Sequence, residues 1–525
     1  MNTSTASEAA GLAWARDGET VLSVNMQIVL VLLAHVMLWT WVGVSSRSNF
    51  DVPGDMVEAY AWAQGWQWGY YKHPPLSAWI AGLWFSVVPE SHLGYSLLAA
   101  VNGAVGMAGL AVLARQFLPG RWVLLCVATA SLTPGVTSLA MRFNANSILI
   151  SSWPWAMALF VLLMKSNRRR DAVLCGAVCA LAVLGKYYSG VLLLTLLACS
   201  LLVPAWRSRW ATAGPWLASI TFVALLTPHL LWLLEQTQGP LQYAAHATTA
   251  EHPGTLLMRA VSFALAQWVF PALAFVVFWL ALQGPRRNAG WWRAATSLLR
   301  PRWDAAWLLG VTPIIATMLG TMLTGARTSA VWGLPIAAGL MLLAASRARE
   351  AGADVNVGRL WRTLISLWLV VAVLAPLWWL WRAQLATPGV AEPRQELAQT
   401  LDLSWLAEFG QPLPWVTGTR ALAASTSFYT AGSARYWSLW SPAIETPWVD
   451  TGEVLEDGGL IVCDRGDAAC LTAAERWSAE RRTVTVAKRE RGFSFAPVSY
   501  EVFVIRPRIT PASSAAGTAA GAANS

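Results

Sequence analysis

The chain has 525 residues, 56% of them hydrophobic and only 12% charged, with a formal net charge of +9. That charged share is about half of what an ordinary soluble domain carries, which excludes a water-solvated globule and leaves an integral membrane protein. The positive balance reports topology rather than a nucleic-acid partner, because the cations sit in short clusters between long charge-free stretches.

In chain order, residues 1–20 are polar and lack the basic flank and cleavage site of a signal peptide, so the first apolar stretch is expected to be an uncleaved anchor. A span needs about 20 apolar residues. Stretches near 25–44, 92–114, 122–140, 147–164, 172–185, 189–204, 213–234, 258–282, 305–324, 329–346 and 363–381 qualify, which predicts about eleven spans. The pieces around 172–204 are short and read as a tight helical pair or one broken helix. Arg115 and Arg121, Lys165 with Arg168–Arg170, Arg207 and Arg209, Arg286 and Arg287, and Arg347 and Arg349 fall in alternate loops, as do Arg293, Arg300, Arg302, Arg359 and Arg362. The positive-inside bias assigns these loops and the N-terminus to the cytoplasm.

Beyond Arg382 the pattern turns polar and Pro-rich. Gly459–Cys463, Thr483–Ala487 and Ser499–Ile505 read as strands, and Leu471–Arg482 as an amphipathic helix. The expected architecture is therefore mostly α. A polytopic membrane domain at 1–382 carries a non-cytoplasmic loop at 45–91, a small periplasmic α/β domain follows at 383–507, and an Ala/Gly/Ser/Thr-rich disordered tail closes the chain at 508–525. Cys126, Cys175, Cys179 and Cys199 lie in predicted spans and read as small apolar packing residues. Cys463 and Cys470 lie on the oxidising side, where a local disulfide and two separate thiols are both open readings. No His/Cys cluster has ligand spacing, so no metal is expected.

Ionisable residues on the non-cytoplasmic side are few and informative, since each costs about 2.5–3.5 kcal/mol near hydrocarbon. The densest set lies in loop 45–91, where Asp55 and Glu58 share one helical face and are followed by Tyr70, Tyr71, Lys72 and His73 before a Pro-Pro stop. The segment 57–68, with Tyr60, Trp62, Trp66 and Trp68, predicts a short helix lying in the membrane interface, and a second such helix is expected after Pro75. The plainer alternative makes Asp55 an N-cap and the aromatics an anchor. Arg142, Lys186 and Arg327 are further cations on this side, Arg259 sits at a membrane edge, and loop 235–257 adds Glu235, His246, Glu251 and His252. Snorkelling explains any one of these cations. As a set, carboxylates beside cations at the outer surface fit a lipid phosphate, and if that lipid carries a sugar the parts suffice for glycosyl transfer. One base is enough for an inverting displacement. Tyr429, in Thr426–Thr430, reads first as a packing residue.

The run Asp55-Met-Val-Glu58-Ala-Tyr-Ala-Trp, followed by Gly69-Tyr-Tyr-Lys-His-Pro-Pro-Leu76, resembles the first periplasmic loop of bacterial family 39 glycosyltransferases, the protein mannosyltransferase-like and aminoarabinose transferase-like group. Leu184-Gly-Lys-Tyr-Tyr-Ser and Pro228-His-Leu-Leu-Trp232 resemble stretches of the same family. The resemblance implies a GT-C fold in a multi-pass protein of the bacterial inner membrane. It also implies a polyprenyl-phosphate sugar as donor, no cofactor, and an envelope acceptor, either lipid A in lipopolysaccharide, another glycolipid or a protein. It assigns catalysis to Asp55 and Glu58. It assigns substrate and phosphate binding to Tyr70, Tyr71, Lys72, His73, Arg142, Lys186, Tyr187 and Arg327. Many members carry adjacent Asp-Glu where position 57 here is valine, so Asp55 and Glu58 both remain open as the base. The competing classes are a lipid or small-molecule transporter, which predicts inverted repeats that this sequence does not display, and a scaffold, which leaves the cations unexplained.

Overall fold

The computed structural model describes residues 22–49, 54–236, 239–240, 252–296, 301–430 and 434–508. The polar N-terminus, the C-terminal tail, Arg300, His246 and Glu251 lie outside them. The chain forms two compact units. One comprises Met1–Val42, Ser96–Pro228 and Ala245–Leu374, the other Gly43–Tyr95, His229–Ala244 and Ala375–Ser525.

Among the described residues seven helices are long and apolar enough to cross a membrane: Val24–Ser46, His92–Arg115, Ala145–Ser166, Ala213–Glu235, Gly254–Ala281, Ala305–Thr324 and Val357–Gln384. The pair Tyr187–Leu202 and Pro204–Ala211, bent by 99°, makes an eighth if taken as one span. Three expected spans are shorter helices here, and the one expected at 172–185 starts earlier, at Arg169. Gly120–Ala130 has 11 residues, Arg169–Gly185 has 17, Gly190–Leu202 has 13 and Ile336–Glu350 has 15. A hydropathy window runs through loops and turns that backbone geometry interrupts; the segment 131–141, for example, leaves the helix in a series of turns. Ile220, Leu323, Leu369 and Val373 stand exposed on the long helices. Apolar exposure of that extent is unfavourable in water and natural in hydrocarbon.

The membrane-rich unit also gives some of the expected topology-setting cations a structural task. Arg347 is buried and pairs with Asp304 and with Glu350, and Arg302 takes the other oxygen of Glu350 at 2.8 Å. Arg121 pairs with Asp354 at 2.8 Å.

In the second unit, helix α1 (Asp55–Ala63) and helix α2 (Leu76–Phe85) precede a C-terminal segment with helix α3 (Arg394–Phe409) and helix α4 (Arg420–Tyr429). Its strands are β1 (Trp415–Gly418), β2 (Arg435–Tyr436), β3 (Gly459–Asp464), β4 (Arg481–Val486), β5 (Arg489–Glu490), β6 (Phe493–Ser494) and β7 (Val498–Ile505). Five of them form a mixed sheet in the order β2-β1-β3-β7-β4, parallel at β2/β1 and β1/β3 and antiparallel at β3/β7 and β7/β4. The apolar runs are continuous because both faces are covered. Val416, Leu460, Val462, Val502 and Val504 pack with Leu397, Leu401 and Trp405 of α3. Their neighbours Trp415, Ile461, Cys463, Phe503 and Ile505 point to the other face and pack with Trp437 and Cys470. The expected helix over 471–482 is instead Ala468–Ala474. Arg481 and Arg482 have already joined β4, opposite Phe503 and Val502, so strand pairing overrides local helix propensity.

Cys463 and Cys470 are joined by a disulfide, with Cα atoms 5.8 Å apart. The other four cysteines are buried thiols.

Gly418 ends β1 with φ +138°, and a Cβ there would fall on the carbonyl oxygen of Val462 in the paired strand. That backbone alone costs a non-glycine residue about 1–3 kcal/mol. Gly418→Ala is expected to lower the heat-induced aggregation midpoint of detergent-solubilised protein by about 5 °C or more. An unchanged midpoint contradicts the strain argument.

Candidate active site

Helix α1 begins immediately after Gly54, which lies in the left-handed region at φ +98° and turns the chain into the helix. Asp55 is thus the first helical residue rather than the N-cap. Both acids fall in the first turn, where the helix dipole favours negative charge. Asp55 is exposed and Glu58 half-buried. The rest of the helix is buried: Met56, Val57, Tyr60, Ala61 and Trp62 all face protein. Tyr60 meets Phe428 edge-on at 5.0 Å and Trp62 stacks on Tyr70 at 5.0 Å. The expected interfacial helix over 57–68 is therefore a packed one that ends at Ala63, and only Trp66 and Trp68 of its aromatics are exposed. Packing against Phe428 and Phe85 leaves Tyr60 buried.

The Tyr-Tyr-Lys-His turn returns the chain to the helix. The Tyr70 backbone N–H donates to the His73 carbonyl at 3.0 Å, and buried Pro74 and Pro75 lead into α2. This geometry brings Lys72 Nζ to 2.6 Å from Glu58 Oε1, with the Tyr71 hydroxyl donating to the same oxygen at 3.4 Å. Burial pushes the Glu58 carboxyl above the usual range, and the Lys72 ammonium works against it. Burial likewise opposes the charge on Lys72, but Glu58 and Tyr71 outweigh it and hold the ammonium above the usual lysine range. Burial and the Glu58 charge push the Tyr71 phenol up to about 12, so it is a donor at neutral pH. The loop's base is anchored by His229 and Trp232: His229 Nδ1 lies 2.6 Å from the Trp68 carbonyl, and a Cβ on Gly69 would collide with the Trp232 ring. Those two residues belong to the Pro-His-Leu-Leu-Trp stretch singled out in the sequence.

A cleft of about 160 Å³ is lined by Gly54, Asp55, Glu58, Trp62, Tyr71 and Lys72 together with Arg420, Ala421, Ala424, Tyr436 and Glu445. The C-terminal residues were not singled out from the sequence. Arg420 follows directly on the Gly418 turn, where the Thr419 N–H donates to Val462 O at 3.0 Å. Arg394 steadies α4 by donating to Ser425 Oγ at 3.0 Å. Gln64, at the end of α1, donates to Ser427 Oγ at 3.0 Å and accepts from the Tyr436 N–H at 2.9 Å. The only hint in the sequence was the neighbourhood of Thr426–Thr430; α4 presents Arg420, Ala421 and Ala424 to the cleft, while half-buried Tyr429 packs beside Phe428 at 5.4 Å.

Arg142, Lys186, Tyr187 and Arg327 belong to the membrane-rich unit. Lys186 is buried, donates to Asn146 Oδ1, and has its ammonium 4.6 Å from the centre of the Trp332 ring. The neighbouring Tyr188 stacks on Trp153 at 5.6 Å and shares a 2.7 Å hydrogen bond with Thr317. Arg142 and Arg327 are exposed and Tyr187 is half-buried. The structure thus separates the sequence-derived set into the residues 55–73 in one unit and these four in the other. Among the described residues no three metal-ligating side chains gather.

Residues 72–232 match the family described as dolichyl-phosphate-mannose-protein mannosyltransferase. The lipid A galacturonosyltransferase RgtD of Rhizobium johnstonii is 24% identical over 258 residues, 48% of this chain and 53% of the relative. The match spans about half the length of that curated relative. The crystal structure of ArnT from Cupriavidus metallidurans bound to undecaprenyl phosphate shares the fold, with a TM-score of 0.56 and 13% identity over 90% of this chain and 97% of that one. Its apo form gives 0.53 and 14% over 91% and 98%. The chain thus shares its fold with ArnT, carries a segment similar to that mannosyltransferase family, and has the long apolar helices of a multi-pass membrane protein.

Lys72→Met removes the cation that opposes burial at Glu58, so the carboxyl titrates higher still. Any activity carried by the cleft is expected to fall about 10- to 100-fold in this variant, as for loss of one charged hydrogen bond. The acid limb of its pH–rate profile is expected to move to higher pH. An unmoved acid limb shows that the Glu58–Lys72 pair does not set ionisation in the cleft.

Proposed function

We propose that the protein is an inverting glycosyltransferase. It moves a sugar from a polyprenyl-phosphate donor to an envelope acceptor, a glycolipid such as lipid A or a protein, at the periplasmic face of a bacterial inner membrane. The observation that carries this reading is the cleft in which exposed Asp55 stands beside the Glu58–Lys72 pair. Asp55 takes the proton of the acceptor hydroxyl, the freed oxygen attacks the anomeric carbon, and the bond from that carbon to the phosphate oxygen breaks. One positioned base contributes about 10²–10⁴-fold. Glu58 is engaged by Lys72 and Tyr71, which makes it a holder of the cation rather than a nucleophile and favours single displacement. Tyr70 and His73 shape the turn that delivers Lys72. Lys72 is assigned to the donor phosphate, whose departing charge needs cations, and the family resemblance assigns Arg142, Lys186, Tyr187 and Arg327 to substrate and phosphate binding as well. The donor carries its own leaving group, so the reading calls for no cofactor.

The names of the relatives support donor and acceptor class: RgtD is a lipid A galacturonosyltransferase, and ArnT was crystallised with undecaprenyl phosphate. They favour this reading over a transporter. The Cys463–Cys470 disulfide supports an oxidising location for the C-terminal domain, and the Arg clusters support cytoplasmic basic loops with a cytoplasmic N-terminus.

In a deletion strain, envelope glycolipids analysed by mass spectrometry are expected to lose one sugar while its polyprenyl-phosphate form accumulates. Wild type restores it; Asp55→Asn, at equal membrane abundance, restores less than about 1% of it. Full rescue by Asp55→Asn removes Asp55 as the base, and an unchanged lipid profile in the deletion strain removes the transferase reading. For topology, a cysteine placed at exposed Arg476 (Arg476→Cys) should react with an impermeant thiol reagent applied to intact spheroplasts. Labelling only after lysis reverses the assigned orientation.

A further inference from the structure

The C-terminal part of the cleft contains an arginine fixed far more firmly than a surface residue needs to be. Arg420 Nη2 and Nε both donate to Glu445, the latter at 3.3 Å to Oε2. The two side chains are unequal in burial, with 53% of Arg420 exposed against 10% of Glu445. Glu445 is itself held by Ser438, whose hydroxyl donates to Oε2 at 2.7 Å, and the Trp440 ring lies 5.7 Å from the guanidinium. Desolvating a carboxylate beneath an exposed cation is costly, and an exposed pair returns little stability. What the arrangement secures is orientation. A guanidinium has five N–H donors. Glu445 takes two, and the remaining three belong to an exposed group on the cleft wall. A fixed planar fork of that kind matches two oxygens of one carboxylate or phosphate, whereas a hydroxyl asks for a single donor. The phenols of Tyr71 and Tyr436 line the same cleft, and burial keeps both protonated and able to donate.

We infer that Arg420, oriented by Glu445, is the subsite for an anionic oxyacid group of the substrate. That group is the carboxylate of an acidic sugar on the donor or a phosphate on the acceptor. The inference rests on the transferase reading and assigns substrate selection at the cleft to the C-terminal segment. Arg420 is the recognition residue and Glu445 a positioning residue that acts through it.

The test uses the purified full-length protein in lipid nanodiscs, with two donors and two acceptors. The donors are a polyprenyl-phosphate hexuronic acid and the hexose that differs from it only in the carboxylate. The acceptors are a phosphorylated glycolipid and the same lipid dephosphorylated. Wild type is expected to prefer the acidic member of one pair. If the donors are discriminated, the anion is the sugar carboxylate; if the acceptors are, it is the lipid phosphate. Arg420→Gln should lose that preference through a rise in KM of about 10- to 100-fold for the acidic member alone. Arg420→Lys should lose most of it too, because an ammonium lacks the fork. Glu445→Gln, nearly isosteric, should weaken the same preference with a smaller rise in KM and little change in kcat. Equal use of both members of both pairs by wild type overturns the inference, and so does a wild-type preference surviving in Arg420→Gln. Turnover of no donor by wild type removes the transferase reading itself, and this inference with it.

Discussion

The ion pair between Glu58 and Lys72 spans fourteen residues of sequence and fixes the geometry on which the cleft depends. A helix turn alone would set Asp55 and Glu58 side by side. It would not place a cation beside them, since a charged lysine near the membrane surface otherwise extends toward water. Trp62 stacked on Tyr70 and the Pro-Pro step close the loop around the pair. The pair then keeps its cation charged in surroundings where burial works against ionisation. With Glu58 occupied in this way, Asp55 is the exposed carboxylate of the helix.

The C-terminal segment completes the cleft through a chain of local constraints. Two faces of apolar packing stabilise a sheet whose first strand ends at Gly418 in a conformation reserved for glycine. The turn starts α4 and sets Arg420 at its first position, while Gln64 ties the end of α1 to α4 and to β2. The charged side chains of the cleft thus stand on loops and helix ends positioned by the packed sheet. Loop 54–73 and the C-terminal segment are joined by the Gln64–Ser427 hydrogen bond although the two residues lie 363 positions apart.

The sequence by itself determined the membrane class, the acidic pair, the Lys-His turn and the strand-rich C-terminal region. Each is written in short-range pattern: hydropathy, a three-residue spacing on a helix, a proline stop, alternation of apolar runs. The resemblance to a known family rested on such runs as well. Only the tertiary structure decided what depends on distant partners. It turned the expected interfacial helix into a buried one, because Phe428 meets Tyr60 from more than 300 positions away, and it cut the helix expected at 471–482 short, because Arg481 and Arg482 pair with β7. It shortened three expected spans where turns interrupt apolar stretches. It also supplied Arg420, Tyr436 and Glu445, which no local pattern marks, since an arginine after a strand and a glutamate in a Pro-rich loop look like ordinary surface. Periodicity reports which way a side chain faces within its own element; what it faces is set by packing between elements far apart in sequence.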